Sequence, residues 1–210
     1  MALAHCSLLA LGALLAGMPA GLTAGLAQAA TPAARKILVL GDSLSAEYGL
    51  ARGSGWVALL ERQLAQEKIT AGVINASISG DTTSGGRSRL PALLKQHQPS
   101  HVVIELGGND ALRGLPLNMT RDAKAAGAKV MVVGMQVPPN YGARYGQDFA
   151  ALFASVAKAE GAALVPFLLA GVADGPQADQ LFQSDRIHPK AEAHPKMLAT
   201  VWAVMKAWLR

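Results

Sequence analysis

Beyond residue 34 the chain alternates between two textures: short unbroken apolar runs, and longer stretches with apolar residues three or four positions apart. The runs are KILVL (36–40), 72–76, HVVIEL (101–106), KVMVVGM (129–135) and 163–165. Such runs suit strands of a parallel sheet, which are buried on both faces and so lack the in-out alternation of a half-exposed strand. Helical spacing fills the gaps. Trp56, Leu59, Leu60 and Leu64 predict a helix over 56–68, and Leu90, Leu93 and Leu94 one over 87–97. Further helices are expected over 119–126 and 148–160, with a closing helix over 189–209 interrupted near Pro195. Strands alternating with helices imply an α/β fold built on a parallel sheet covered on both faces. No internal repeat, linker or low-complexity stretch divides this part of the chain, so one domain is expected over 30–210.

The head of the chain follows a different rule. Of the 210 residues, 51% are hydrophobic and 16% charged, yet no Lys, Arg, Asp or Glu precedes Arg35. Residues from 8 to about 26 are mostly Leu, Ala and Gly, and Ala27-Gln28-Ala29 supplies the small-x-small pattern of a signal-peptidase site. Residues 1–29 therefore read as a secretory signal, although no Lys or Arg stands near Met1. An uncleaved anchor is the rival reading; it would call for about 18 unbroken apolar residues, and Gly12, Gly17, Pro19, Gly21 and Gly25 interrupt the segment. The single cysteine, Cys6, would leave with the signal. A mature protein without cysteine suits an oxidising compartment, and the expected location is periplasmic or secreted.

The formal charge of +5 raises the question of nucleic acid. Lys and Arg are scattered rather than clustered, and aromatics make up 5% with no interleaving among basic residues, so neither a phosphate-binding stripe nor a stacking platform is present. No nucleic-acid partner is expected. A basic surface still helps to gather anionic lipid or acyl substrates.

In parallel sheets ligands bind beyond the carboxyl ends of the strands. The first strand delivers Gly41-Asp42-Ser43-Leu44-Ser45, the second Asn75-Ala76-Ser77-Ile78-Ser79-Gly80-Asp81, and the third Gly107-Gly108-Asn109-Asp110. A fourth segment, Asp185-Arg186-Ile187-His188-Pro189, precedes the last helix. A serine, an Asp/His pair and amide donors are the parts of an acyl-transfer site. Each has an ordinary explanation alone: Ser43 as a helix cap, Asn109 as a turn residue, Asp185 as the cap of a short turn. Their joint placement at strand ends is what favours chemistry. Among the other histidines, His194 lacks an acid three residues earlier, and His97 and His101 flank the start of the third strand. Other chemistries lack their motifs. There is no Gly-x-Ser-x-Gly, no Walker loop and no His-Glu-x-x-His, and Ser43 occupies the second glycine of a would-be dinucleotide turn. No cofactor and no metal are expected.

These four segments resemble the four sequence blocks of the SGNH (GDSL-type) hydrolases, at 41–48, 75–82, 103–114 and 185–189. Residues 90–99 and 138–145 are similar to the bacterial branch of arylesterases and multifunctional acyl-CoA thioesterase/lysophospholipases. The resemblance implies a flavodoxin-like three-layer α/β/α sandwich. It implies Ser43 as nucleophile, His188 as general base and Asp185 as the group that orients the imidazole. The Ser43 N–H, the Gly80 N–H and the Asn109 side-chain amide would form the oxyanion hole. Ser43 at a strand-to-helix junction would also set developing negative charge near a helix N-terminus. Two departures stand out. Arg186 takes a place where the family usually has glycine, and the segment before Lys129 is shortened to a helix of about two turns, which would leave apolar sheet surface less covered.

The 111–116 loop and the 137–142 segment, both mixing apolar residues with Pro and Gly, are expected to border the acyl site, with Leu112, Arg113, Pro138 and Tyr141 as substrate-binding residues. The substrate would be a small acyl or aryl ester or thioester, lysophospholipids included. Two other functions compete with this exported serine esterase/thioesterase: a cell-envelope carbohydrate O-deacetylase using the same machinery, and a catalytically silent acyl- or lipid-binding module.

Overall fold

The computed structural model describes residues 34–110 and 117–210. The leader expected over 1–29 and the 111–116 loop, with Leu112 and Arg113, lie outside the described residues.

Five strands form one parallel sheet: β1 (Arg35–Gly41), β2 (Ala71–Asn75), β3 (His101–Glu105), β4 (Lys129–Val133) and β5 (Ala163–Val165). Their spatial order is β2-β1-β3-β4-β5. β1 thus lies between β2 and β3 and brings its carboxyl end beside both of theirs. Alternate residues of each strand point to opposite faces. Ile37, Val39, Val103, Met131 and Val133 pack on α1 (Trp56–Gln66) and α6 (His194–Trp208). Leu38, Leu40, Val102, Ile104 and Val130 face the other way, onto α2 (Thr83–His97) and α3 (Leu117–Ala125). Val132 meets Phe149 and Phe153 of α4 (Ala143–Glu160) on that same side. The result is the three-layer α/β/α sandwich that the apolar runs imply. A short α5 (Ala178–Leu181) precedes the 182–190 turn.

Four expectations are corrected by the structure. α2 starts at Thr83, not at residue 87, because Thr82 caps it by accepting the Gly85 N–H at 3.1 Å. Its first turns show no apolar stripe because Gly86 is the contact residue there: a Cβ would come 2.3 Å from Leu106. The closing helix begins at His194 after a 3-10 turn (Ala191–Ala193), so Pro195 sits in its first turn rather than breaking it. No helix follows Ser43 directly. Residues 43–49 are turns and α1 starts only at Trp56, so no helix dipole supports the serine. Finally, the short α3 covers its part of the sheet. With Met119 and Ala123 turned inward, Val102, Ile104 and Leu106 are fully buried.

Candidate active site

The carboxyl ends of β1, β2 and β3 empty into three loops that are stitched to one another. The Ala76 N–H donates to the Val39 carbonyl at 2.8 Å and the Ile78 N–H to the Gly41 carbonyl at 3.0 Å, laying the 76–80 loop alongside the β1 exit. Asn75 Nδ2 donates to the Ser45 carbonyl at 2.8 Å. From β3, the Asn109 amide donates to the Asp81 carbonyl at 2.8 Å and to Asp42 Oδ2 at 3.2 Å. Asp42 immediately precedes Ser43, and Asp81 immediately follows Gly80. Those two bonds therefore bring Asn109 to the Ser43 and Gly80 backbones together. Gly80 has φ +79 and open space where a Cβ would be, so its amide is unshielded. Neither the Ser43 N–H nor the Gly80 N–H donates a hydrogen bond among the described residues.

The 182–190 segment is a tight hairpin-like turn. Phe182 and Pro189 bridge antiparallel, and Gln183 N–H donates to the His188 carbonyl at 2.8 Å. Within it Asp185 Oδ1 accepts the Ile187 and His188 N–H groups at 2.9 and 3.0 Å, while Oδ2 meets His188 Nδ1 at 2.7 Å. The His188 N–H, its ring and the Ile187 N–H together pull the Asp185 carboxyl down to about 2. His188 Nε2 stands 2.9 Å from Ser43 Oγ, across 145 residues of chain. The Tyr48 ring lies 4.3 Å from the imidazole, tilted by 38°. Gln183 Nε2 ties this turn to the serine loop through the Tyr48 carbonyl at 3.0 Å.

Two other histidines are engaged elsewhere. His194 Nδ1 accepts the Trp56 N–H at 3.0 Å, capping α1, and burial lowers its pKa. His101 lies at the opposite end of the sheet, beside Ser100 and edge-on to Trp208. Pro138 and Tyr141 are exposed on the loop leaving β4, at the same edge of the sheet as Ser43, and Tyr141 stacks on Tyr145. Tyr48, Ile78, Tyr141 and Ile187, each about half or more exposed, all belong to loops at this edge. Among the described residues no cluster of His, Cys, Asp or Glu is arranged to hold a metal ion.

Several members of the site carry no motif signal of their own. Glu105 is fully buried beneath the serine turn, Asp110 caps α2 by accepting the Thr83 N–H and hydroxyl at 2.8 Å each, and Arg89 holds Asp81. A carboxylate between Ile104 and Leu106, in a strand covered on both faces, is the one of these that sequence reasoning could have found.

A serine, imidazole and carboxylate in hydrogen-bonded sequence, beside free amide donors at the edge of a parallel sheet, are the equipment of a serine ester hydrolase. The chain belongs to the GDSL-like Lipase/Acylhydrolase family, whose model matches residues 39–195. It is 50% identical over 185 residues to Esterase TesA of Pseudomonas aeruginosa, spanning 84% of this chain and 90% of that protein. With the Escherichia coli protein named Thioesterase 1/protease 1/lysophospholipase L1 it shares 45% identity over 171 residues, covering 78% of this chain and 79% of the relative. A crystal structure of TesA superposes with a TM-score of 0.79 at 48% identity, over 84% of this chain and all of that one.

Proposed function

We propose that this protein is an exported serine esterase/thioesterase that cleaves acyl and aryl esters or thioesters through a covalent acyl-enzyme. Ser43 attacks the carbonyl while His188 takes its proton; Asp185 holds the ring in the tautomer that presents Nε2 to the serine and stabilises the imidazolium. The Ser43 and Gly80 N–H groups receive the oxyanion, and the Asn109 amide joins them by turning toward it the N–H that it gives Asp42 at 3.2 Å in the free protein, while the 2.8 Å bond to the Asp81 carbonyl holds. His188 then protonates the leaving alcohol or thiol, and water repeats the cycle on the acyl-serine. The observation that carries this reading is the 2.9 Å approach of His188 Nε2 to Ser43 Oγ, with Asp185 at 2.7 Å behind it.

The half-exposed Tyr48, Ile78, Tyr141 and Ile187 favour an apolar acyl or aryl group over a sugar, and with it small acyl esters, thioesters and lysophospholipids as substrates. Pro138 and Tyr141 border that group, as do Leu112 and Arg113 of the loop after Asn109. The names of the relatives, esterase and thioesterase/lysophospholipase, support the same class. Residues 1–29 act as the export signal and 30–210 as the catalytic domain in the periplasm or medium. No helix among the described residues is long and apolar enough to cross a membrane.

Mass spectrometry after a fluorophosphonate probe tests the mechanism and the processing together. The expected product is an adduct on Ser43 in a chain beginning at Ala30. Ser43→Ala should fold, fail to label and lose turnover of p-nitrophenyl butyrate and octanoate. Wild-type turnover in that variant would refute the nucleophile. Release of acetate from acetylated glycan, without cleavage of the octanoate, would point instead to a deacetylase.

A further inference from the structure

Two buried carboxyls lie beneath the nucleophile, and the acyl-transfer steps above use neither. Glu105 ends β3 and pairs with Gly41 across the β1–β3 ladder. A Cβ at Gly41 would come 2.6 Å from Glu105 Oε2 and 2.8 Å from Ser45 Oγ, so the missing side chain is what lets the carboxyl reach under the turn. There Oε2 accepts the Ser45 hydroxyl at 2.6 Å and the Asp42 N–H at 3.3 Å. Those contacts fall on either side of Ser43. Asp42 in turn uses Oδ1 to accept the Leu44 N–H at 3.1 Å and Oδ2 to accept the Asn109 amide at 3.2 Å.

We propose that Glu105 and Asp42 are paired positioning residues for the acyl transfer inferred above, on which this proposal rests: Glu105 clamps the turn on both sides of Ser43, and Asp42 holds the Asn109 amide beside Ser43 until substrate takes up that N–H. Neither meets substrate. Their effect is to hold the serine and its oxyanion donors in place before substrate arrives, in a loop of small polar residues that has no helix to stiffen it. Misplacing such a constellation by about 1 Å can cost on the order of 10² in rate.

Burial, and the charge of Asp42 beside it, push Glu105 well above the usual carboxyl range. Its Oε1 has no partner among the described residues. A glutamine can therefore keep both bonds through its carbonyl and set its amide where that oxygen lies. At Asp42 an amide carbonyl can accept from Leu44 or from Asn109, and its NH₂ faces whichever donor remains.

The test counts competent sites before measuring rates. Wild type, Glu105→Ala, Glu105→Gln and Asp42→Asn are titrated to completion with a fluorophosphonate. Then kcat and KM are measured per titrated site on p-nitrophenyl butyrate. Glu105→Ala should lose on the order of 10² in kcat and Asp42→Asn about tenfold or more, each with KM within about threefold of wild type. Glu105→Gln should recover kcat to within about fivefold. A role in folding alone would reduce the number of titrated sites and leave kcat per site untouched. Wild-type kcat per site in Asp42→Asn overturns the proposal, whether or not Glu105→Ala folds. A glutamine variant as slow as the alanine one overturns it too, since the bonds would be kept and the rate lost. A wild-type protein that neither labels nor turns over ester overturns the esterase reading itself, and this proposal with it.

Discussion

Replacing Asp42 with asparagine probes the electrostatics under the serine through stability, with no substrate needed. Asp42 is 3% exposed, and burial is the largest influence on it. The Leu44 N–H and His188 oppose that effect and Asp81 and Asp110 add to it, leaving the carboxyl raised from 3.8 to about 6. Between those two values the folded protein binds more protons at this site than the unfolded chain, so stability falls as pH rises. The contribution is fully present below about pH 4 and lost above about pH 6. A shift of about two units at 1.36 kcal/mol each is ~3 kcal/mol. For a domain of this size that corresponds to about 6–12 °C in Tm.

Other groups act in nearby windows. His101, pushed from 6.5 down to about 4 by burial and by Lys129 and Arg35, has the opposite sign: its contribution is gained as pH rises through that interval. His194, lowered by burial, adds slope of the same sign as His101, and Glu105, raised by burial, adds slope of the sign of Asp42, so the informative quantity is the difference between variant and wild type. Asp185, depressed to about 2, contributes stability above about pH 4 that is lost as pH falls toward 2, below the interval of interest. Removing the Asp42 charge also relieves Glu105, a change of the same sign as the main effect. Urea unfolding followed by circular dichroism at about pH 4 and about pH 6.5 measures the difference. Asp42→Asn should gain ~3 kcal/mol on wild type between those two conditions, whatever constant offset its altered hydrogen bonds introduce. A difference that stays level within about 1 kcal/mol would refute the buried charge. Since the same variant is expected to lose kcat, the site would exchange stability for activity at one residue.

Two further outcomes are expected. Asn109→Ala should lower kcat by about 10²–10³, the usual effect of one oxyanion donor, with KM little changed in steady-state kinetics; a change confined to KM would remove Asn109 from that role. Arg186 adopts φ +58, so Arg186→Gly should relieve about 1–2 kcal/mol of left-handed backbone cost and give back about 0.5–1 kcal/mol to the freer unfolded chain. The net gain, centred on about 0.75 kcal/mol and at most about 1.5 kcal/mol, is followed by thermal unfolding, and a loss would mean that the arginine side chain makes stabilising contacts.

The arginine at a left-handed position shows how unevenly the site could be read from sequence. The resemblance implies glycine there, and the left-handed backbone of Arg186 is a conformation that glycine adopts freely. Ser43, Asn109, Asp185 and His188 stand out in the sequence as candidates, because small polar residues and an Asp-x-x-His spacing are conspicuous after apolar runs, and Gly80 enters through the family resemblance; the structure brings the five together at the ends of the strands. The surroundings of Ser43 do not stand out in this way. A helix N-terminus is the expectation beside it, whereas the structure has a turn whose Asp42 N–H and Ser45 hydroxyl donate to Glu105 from above. Gln183, which links the histidine turn to the serine loop, looks like any polar loop residue until its amide is seen on the Tyr48 carbonyl. The helix boundaries failed where packing replaced pattern, as at Gly86, whose lack of a side chain is its contact with Leu106.

Local physics accounts for what could be read along the chain. Short apolar runs alternating with helical stretches suit buried strands, three- and four-residue spacing turns one helix face inward, and loops of glycine, serine and asparagine are where backbone amides can be bared. Tertiary packing alone decided the rest. It closed 145 residues of chain into a 2.9 Å contact between Ser43 and His188, and it removed water from Asp42 and Glu105. Desolvation and distance are properties of the neighbours a residue acquires on folding, and a residue's name and place in the chain do not contain them.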